Sequence, residues 1–297
     1  MSESTGEPTP PPFIHFGGDE VRPVPLSAAR CAILPFCHES SPSYGTGSRF
    51  GPLHVLDASN QLEPLDEETL VPWADLPLHT TKPFFSSGPP ESAVAEMTAR
   101  VAEAMDAGAT PVVLGGDHSV ALGGMAAAAD RYPDLAVLQL DAHLDLRDTW
   151  NGSPLNHACV MRRAVDDFGL RVVPVGVRSI CREELDFLRR RDISPFFAHQ
   201  ILSRSDREWI DEVVSSLSER VYLSFDLDAL DPAVLPGTGT PEPGGLGYRQ
   251  AASLLRALGE RRTVVGADFC ELAPIPGTQV SQYTAARLVA KFLVYCL

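Results

Sequence analysis

The segment Leu135-Ala-Val-Leu-Gln-Leu-Asp-Ala-His-Leu-Asp145 constrains the fold more than any other part of the chain. Its first half is a short aliphatic run, typical of a strand that is buried on both faces of a sheet. Its second half places Asp141, His143 and Asp145 at alternate positions. If the backbone stays extended past Leu140, these side chains point to one side at the carboxyl end of the strand, where open α/β sheets usually hold ligands. Because burying bare charge is costly, the pattern predicts a bound divalent cation.

Strand and helix patterns alternate along most of the chain, which predicts a parallel sheet with helices on both faces. We predict strands over residues 31–35, 110–114, 135–140, 171–176, 195–198, 221–225 and 263–266. We predict helices over residues 51–58, 90–107, 157–167, 183–191, 206–217, 249–258 and 281–295, with an alanine-rich helix that ends near Arg131. Residues 71–87 show no regular pattern.

Length and charge limit the organisation and the partners. The 297 residues contain no long internal linker, which favours one domain over residues 28–297 after a flexible, polar and proline-rich tail over residues 1–27. The net charge of −15 argues against a nucleic-acid partner and is compatible with a cationic substrate. We expect no membrane span, since no apolar run approaches about 18 residues. Six cysteines without a C-x-x-C pair, and no signal-peptide pattern, favour the cytoplasm.

Polar clusters follow three of the predicted strands. They are Asp117 and His118; Asp141, His143 and Asp145; and Asp226, Asp228 and Asp231. The carboxyl ends of parallel strands share one edge of a sheet, so the three clusters can meet in space. Four converging carboxylates, Asp141, Asp145, Asp226 and Asp228, would repel one another strongly without a counter-charge.

Charge balance indicates how many cations this set holds. Two divalent ions bring four positive charges, which four carboxylates cancel; a bridging hydroxide then leaves one negative charge for a cationic substrate. The ligands are oxygen and imidazole nitrogen without thiolate, which suits Mn²⁺, although zinc, cobalt and nickel stay open. Two ions that share ligands lie about 3.5–4 Å apart and lower the pKa of a bridging water towards neutrality.

Three motifs carry a resemblance to a known family. Gly115-Gly-Asp-His-Ser119, Asp141-Ala-His-Leu-Asp145 and Ser224-Phe-Asp-Leu-Asp-Ala-Leu-Asp-Pro232 resemble, in order and spacing, the signature motifs of the ureohydrolases, the arginase–agmatinase family. The similarity extends from about Cys31 to the C-terminus. It implies a three-layer α/β/α domain with a mainly parallel eight-stranded sheet, a binuclear site with two Mn²⁺ ions, and a homo-oligomer, trimer or hexamer.

The resemblance also implies roles for individual residues. One metal would be held by His118, Asp141, Asp145 and Asp226. The other would be held by His143, Asp141, Asp226 and Asp228, so that Asp141 and Asp226 bridge the pair. Asp231 would lie outside the ligand shell and orient it.

Two further positions match catalytic residues of the family. His157 matches the histidine that relays protons, and Glu271 matches the glutamate that pairs with a planar guanidinium group. The segment Asp145-Leu-Arg-Asp-Thr-Trp-Asn-Gly-Ser153, followed by His157-Ala158, resembles the agmatinase branch. Asn156 departs from that branch, which more often has serine before the histidine. The resemblance therefore implies hydrolysis of agmatine to putrescine and urea, a step of polyamine biosynthesis, by a metal-activated hydroxide.

Three alternatives remain open at this stage. The same chemistry could act on guanidinobutyrate, guanidinopropionate or arginine; a carboxylate tail would need a basic partner, for which Arg147, Arg162 and Arg163 are candidates. A non-catalytic metal-binding relative would keep the fold without turnover. A dimetal phosphoesterase would need groups that bind phosphate, and the sequence shows no glycine-rich phosphate loop.

Overall fold

The computed structural model describes residues 11–40, 42–86 and 88–297. The strands in this part of the chain are β1 (Cys31–Phe36), β2 (Leu78–Thr80), β3 (Thr110–Gly115), β4 (Ala136–Leu140), β5 (Arg171–Val177), β6 (Phe196–Phe197), β7 (Arg220–Asp226) and β8 (Thr263–Cys270). All eight pair in parallel in one sheet, in the order β2-β1-β3-β8-β7-β4-β5-β6. The predicted parallel α/β sheet is confirmed.

Helices cover both faces of the sheet. They are α1 (Gly51–Ser59), α2 (Pro90–Asp106), α3 (Ala121–Ala129), α4 (Val160–Asp166), α5 (Arg182–Arg191), α6 (Ala198–Ile201), α7 (Asp206–Ser216), α8 (Tyr248–Arg261) and α9 (Val280–Cys296). Side chains of α1, α7, α8 and α9 pack on one face of the sheet, and those of α2, α3, α4 and α5 pack on the other. Within β1, Cys31 and Ile33 contact the first layer while Ala32 and Leu34 contact the second. This alternation produces three layers.

The structure differs most from the sequence prediction at two strands. The region 71–87, for which no element was predicted, contains the edge strand β2, whose three residues are too few to show a period. Strand β8 continues past Gly266 to Cys270, so Asp268 lies inside the strand and is completely buried. A polar residue inside a strand interrupts the apolar run that marks strands in a sequence.

The backbone does not stay extended past Leu140, so the condition under which the side chains at 141, 143 and 145 would alternate is not met. The chain bends at Ala142 and His143, because the backbone N–H of His143 donates to Oδ1 of Asp141 at 2.6 Å and closes a turn. Asp145 then adopts a left-handed φ of 52°. The three polar side chains still converge, but a turn brings them together rather than a two-residue period.

Residues before position 28 form part of the packed structure. Phe16 is completely buried, its ring meets the ring of Trp73 edge-on at 5.7 Å, and its N–H donates to Oγ1 of Thr80 at 3.1 Å. Val21 is also buried. A flexible tail extending to residue 27 is therefore wrong for residues 11–27, and residues 1–10 lie outside the described part. Among the described helices, none has the length and apolar character that a membrane crossing requires.

Candidate active site

The strand order explains why the predicted clusters meet. Strands β3, β8, β7 and β4 are consecutive in the sheet, and the residues that follow them share its carboxyl edge. The clusters after β3, β4 and β7 come from distant parts of the sequence, and here they form two adjoining groups.

The first group surrounds His118, which is fully buried at the start of a short 3-10 turn after β3. Its Nδ1 lies 2.8 Å from Oδ2 of Asp145 and 3.3 Å from Oδ2 of Asp141. The same nitrogen lies 3.6 Å from Oδ2 of Asp226. Asp117 caps the turn by accepting from the N–H of Ser119 at 3.1 Å, which holds the imidazole in place.

The second group surrounds His143, whose Nδ1 lies 3.0 Å from Oδ2 of Asp228 and 3.5 Å from Oδ1 of Asp141. Asp228 Oδ1 accepts from the N–H of Ala142 at 3.0 Å, and Asp226 Oδ1 accepts from the N–H of Asp228 at 2.9 Å. The sets His118–Asp141–Asp145 and Asp141–His143–Asp228 each offer ligand atoms within 4.8 Å of one another, as a metal site requires. Asp141 belongs to both sets, which is the position of a bridging ligand.

The electrostatics of these groups fit bound cations. Asp141, Asp145, Asp226 and Asp228 are between 0 and 6% exposed, and in the described part of the chain their ion-pair partners are His118 and His143, with no lysine or arginine. Burial together with the charge of Asp141 raises the pKa of Asp145 to about 7. Burial and the charges of Asp228 and Asp141 raise the pKa of Asp226 well above its usual range.

The two imidazoles balance these acids by holding protons. Burial by itself lowers the pKa of His143, but the neighbouring Asp228 and Asp141 raise that pKa to about 12. Burial also opposes the charged form of His118, yet Asp141, Asp145 and Asp226 raise its pKa well above 6.5. Divalent cations would replace these shared protons, and the oxygen and imidazole donor set suits manganese or a similar ion.

Metal affinity should therefore depend on pH. Because protons compete for Asp145, with a pKa of about 7, and for both histidines, we expect Mn²⁺ affinity to fall as the pH drops from about 8 to 6. Equilibrium dialysis against Mn²⁺ across this range checks the prediction. An affinity that stays constant or increases towards pH 6 would contradict it.

A cavity of about 320 Å³ opens beside the two groups. Among its lining residues are His143, Asp145, Asp226, His157 and Glu271, together with Ser43, Arg147, Trp150, Ile180, Thr240 and Glu242. Both residues predicted to be catalytic, His157 and Glu271, therefore line the same cavity as three of the predicted metal ligands. A pocket of this size is suited to a small molecule.

Glu271 is held in an unusual conformation next to the first group. Its φ of 68° is left-handed, which is rare for a residue other than glycine. Its N–H donates to the carbonyl of Gly116 at 2.8 Å, and its Oε1 accepts from the N–H of His118 at 2.7 Å. Strained residues that their surroundings hold in place are typical of functional sites, and Asp145 is a second example here.

His157 lines the cavity from the start of a 3-10 turn. Its Nε2 lies 2.9 Å from Oγ of Ser43, and burial lowers its pKa below 6.5. Oδ1 of the preceding Asn156 accepts from the N–H of Ala158 at 3.1 Å and so caps the turn, as a serine would. Asn156 therefore preserves the local structure, although it differs from the serine that is more common in the agmatinase branch.

The structure separates the three basic candidates. Arg147 lines the cavity and stacks on Trp150, with 4.3 Å between its Cζ and the ring centroid. The other two, Arg162 and Arg163, pair with acidic residues of their own surface, Asp148, Asp166 and Asp167. Arg147 is therefore the basic candidate that the structure places at the cavity.

Asp231 lies outside both His–Asp groups and accepts hydrogen bonds from the loop after β7. Its Oδ1 accepts from the N–H of Ala233 at 2.9 Å, and its Oδ2 accepts from the N–H groups of Gly244 and Gly245 at 2.8 and 3.1 Å. These bonds order the loop after β7, and the orienting role that the resemblance implies for Asp231 stays a prediction.

Sequence reasoning missed the rim of the cavity. The N–H of Gly45 donates to the carbonyl of Gly239 at 2.9 Å, and a Cβ on Gly45 would lie only 3.0 Å from Cα of Gly239. Arg178, after β5, donates to the carbonyl of Glu242 at 2.7 Å and to that of Asp228 at 2.6 Å. Polar residues also follow Val177 at the end of β5, as they follow the three strands with acidic clusters. Because no pair of acidic residues is among them, the sequence did not predict a functional role for this strand end.

Comparison with known proteins identifies the family. A sequence model described as "Arginase family" matches residues 29–295. The chain belongs to the arginase family. It is 37% identical over 275 residues to an N(1)-aminopropylagmatine ureohydrolase of Synechocystis sp., covering 90% of this chain and 89% of that protein. It is also 34% identical to an agmatinase of Pyrococcus horikoshii, over 91% of this chain and 93% of that one.

Solved structures agree with this placement. An agmatine ureohydrolase of Thermoplasma volcanium has a TM-score of 0.82 with this arginase-family chain at 29% identity, covering 92% of this chain and 91% of that one. A Bacillus cereus arginase has a TM-score of 0.77 at 26% identity, covering 89% and 98%. The predicted family, its agmatinase branch and the arginase-like fold are confirmed, and the protein is a hydrolase of the agmatinase-like ureohydrolase type.

Proposed function

We propose that this protein is a two-manganese ureohydrolase that releases urea from a guanidino polyamine, either agmatine or N1-aminopropylagmatine. The observation that carries the proposal is the shared cavity: Glu271 and His157 line it together with residues of both His–Asp groups. Relatives named for these two substrates support the polyamine class.

A cytoplasmic location is supported by free cysteines, and a homo-oligomeric state stays a prediction from the family.

The proposed ligands are His118, Asp141, His143, Asp145, Asp226 and Asp228, as the sequence predicted. When bound, a metal pair supplies water that is activated for attack at neutral pH. Glu271 pairs with N–H groups along one edge of the guanidinium group, and its Oε1, which accepts from the N–H of His118, holds the carboxylate beside the cavity. Such a pair fixes the plane of the cation as well as neutralising its charge.

His157 moves the proton that the departing amine needs. Burial lowers its pKa, which favours the neutral imidazole at pH 7, the form that can take up a proton and pass it to the departing amine. The hydrogen bond between Ser43 and Nε2 fixes the ring.

Replacing His157 with asparagine should lower kcat about 100-fold with little change in metal content, because it removes the proton relay and leaves the proposed ligands intact. The wild-type rate should fall as the pH drops through the pKa of His157, below about 6.5, and the variant should lose that dependence. Steady-state rates at saturating Mn²⁺ across pH 5.5–9 measure both effects. A variant with an unchanged rate and pH profile would remove His157 from the proton path.

The test of the proposed function is urea release from a panel of guanidino compounds by the Mn²⁺-loaded protein. The panel contains agmatine, N1-aminopropylagmatine, guanidinobutyrate, guanidinopropionate and arginine. We expect one of the first two to give the highest kcat/KM. A folded, metal-loaded protein that releases urea from none of the five would overturn the proposal.

Arg147 favours a second candidate, hydrolysis of a guanidino acid such as guanidinobutyrate. It lines the cavity without a carboxylate partner in the described residues, so it could bind the carboxylate of such a substrate. Glu242, on the same cavity, favours the polyamines instead, because a carboxylate attracts a terminal ammonium group. The backbone of Glu242 is held by Arg178, which fixes this part of the wall.

Two variants that each remove one charge separate these candidates. If a polyamine is the substrate, Glu242→Gln should lower kcat/KM for it about 5-fold, equivalent to about 1 kcal/mol for a partly exposed ion pair. Arg147→Gln should then leave that value unchanged or increase it. The opposite result, a loss with Arg147→Gln and none with Glu242→Gln, would favour a guanidino acid.

A further inference from the structure

The second ring nitrogen of His118 begins a buried chain of hydrogen bonds that leads away from the cavity. Nε2 of His118 lies 2.8 Å from Oγ of Ser224, and that oxygen lies 3.1 Å from Oδ1 of Asp268. All three residues are completely buried. Ser224 and Asp268 are directly opposite each other on the neighbouring strands β7 and β8. The register between β7 and β8 therefore places these two side chains within hydrogen-bond distance of each other.

The number of hydrogens on each group determines which group donates in each hydrogen bond between His118, Ser224 and Asp268. Oδ1 of Asp268 accepts twice, from the hydroxyl of Ser224 and from the thiol of Cys270 at 3.4 Å. A serine hydroxyl has one hydrogen, so when it donates to Asp268 its oxygen can only accept from His118. The proton of a neutral His118 must then reside on Nε2. The lone pair of Nδ1 is left facing Asp145, Asp141 and Asp226, which is the tautomer that binds a metal.

We propose that Asp268 is a positioning residue that acts through Ser224 to hold His118 in its metal-binding tautomer and ring orientation. The inference rests on the proposed function, because it assigns His118 to a metal. It adds two residues, Ser224 and Asp268, that are not among the proposed ligands and are not among the lining residues of the cavity. Partners of this kind behind a metal-bound histidine typically change metal affinity or activity by about 10–100-fold.

The experiment measures Mn²⁺ affinity without substrate, by equilibrium dialysis, for Ser224→Ala, Asp268→Ala and the double variant. We expect each single variant to bind Mn²⁺ at least about 10-fold more weakly than the wild type. The double variant should bind no more weakly than the weaker single variant, because both changes break one chain. Cys270→Ala is the matched control: it also removes a donor to Asp268 and a similar volume, but it leaves the link to His118 intact. It should keep wild-type affinity.

Thermal unfolding of the metal-free variants separates positioning from packing. We expect Ser224→Ala, which removes one oxygen, to unfold near the wild-type temperature while losing metal affinity. If Asp268→Ala does not fold, Ser224→Ala decides the question alone. Wild-type affinity in Ser224→Ala, or losses that add in the double variant, would overturn the inference and leave the proposed function intact. A wild-type protein that binds no Mn²⁺ would overturn both.

Discussion

Replacing Asp141 with alanine is expected to abolish metal binding and urea release together. Asp141 is the residue common to both His–Asp sets, and its two oxygens lie 3.3 Å from Nδ1 of His118 and 3.5 Å from Nδ1 of His143. Its removal therefore withdraws a carboxylate from both proposed metals at once. The loss of activity should exceed the roughly 10–100-fold cost of losing an outer partner.

Metal analysis after dialysis, together with urea release from the best substrate, measures this effect. Asp134→Asn provides a matched control, because Asp134 is an exposed aspartate just before the opposite end of the same strand. The control should keep its metal and its rate. Full turnover by Asp141→Ala in metal-free buffer would disprove metal-dependent hydrolysis at this site.

Replacing Lys291 with methionine is expected to lower the free energy of unfolding by about 3–5 kcal/mol, since it leaves a buried carboxylate without its partner. Lys291 in α9 is 1% exposed, and its Nζ lies 2.6 Å from Oδ2 of Asp66, which is 2% exposed. The ammonium group also lies 2.9 Å from Oε1 of Glu67. These contacts fix the last helix to the loop that follows α1.

Denaturant unfolding monitored by circular dichroism measures the loss. Arg287→Met is the matched control: Arg287 is one turn earlier in α9 and pairs with the half-exposed carboxylate of Glu67. This exposed pair should contribute no more than about 1 kcal/mol. If Lys291→Met were no less stable than Arg287→Met, the buried pair would not have the role assigned to it.

The same pair should make stability fall in acid. Burial opposes the charged form of Asp66, but its bonds to Lys291 and Thr69 hold its pKa below the usual value. The pair therefore stabilises the fold fully above the unfolded-state pKa of about 3.9, and the stabilisation is lost as the pH falls through the lower folded-state pKa. The pKa of Lys291 is raised, so its contribution is lost only at strongly alkaline pH. The stability difference between the wild type and Lys291→Met should shrink in acid.

The sequence was sufficient to predict the convergence of the acidic clusters, because parallel strands place their carboxyl ends on one edge. It was not sufficient for the path of the chain at Asp141. Alternation at positions 141, 143 and 145 suggested an extended strand, whereas a local bond from the N–H of His143 makes a turn. Local side-chain to backbone bonds compete with strand geometry and leave little trace in a hydrophobic pattern.

Features that depend on strand order could not be predicted. The link between Ser224 and Asp268 exists because β7 and β8 are neighbours in a given register, and no residue pattern specifies that neighbour. The contact between Gly45 and Gly239 joins two loops that are far apart in sequence, and it depends on their close approach. Arg147 looked equivalent to Arg162 until the structure showed that Arg162 is paired with Asp166 and that Arg147 faces the cavity.

The count and position of bound manganese test the central claim most directly. Crystals grown with Mn²⁺ and measured at the manganese absorption edge give both from the anomalous signal. We predict two manganese ions per chain, one in contact with His118 and the other with His143, and both in contact with Asp141. A single ion, or two ions that do not share Asp141, would contradict the account.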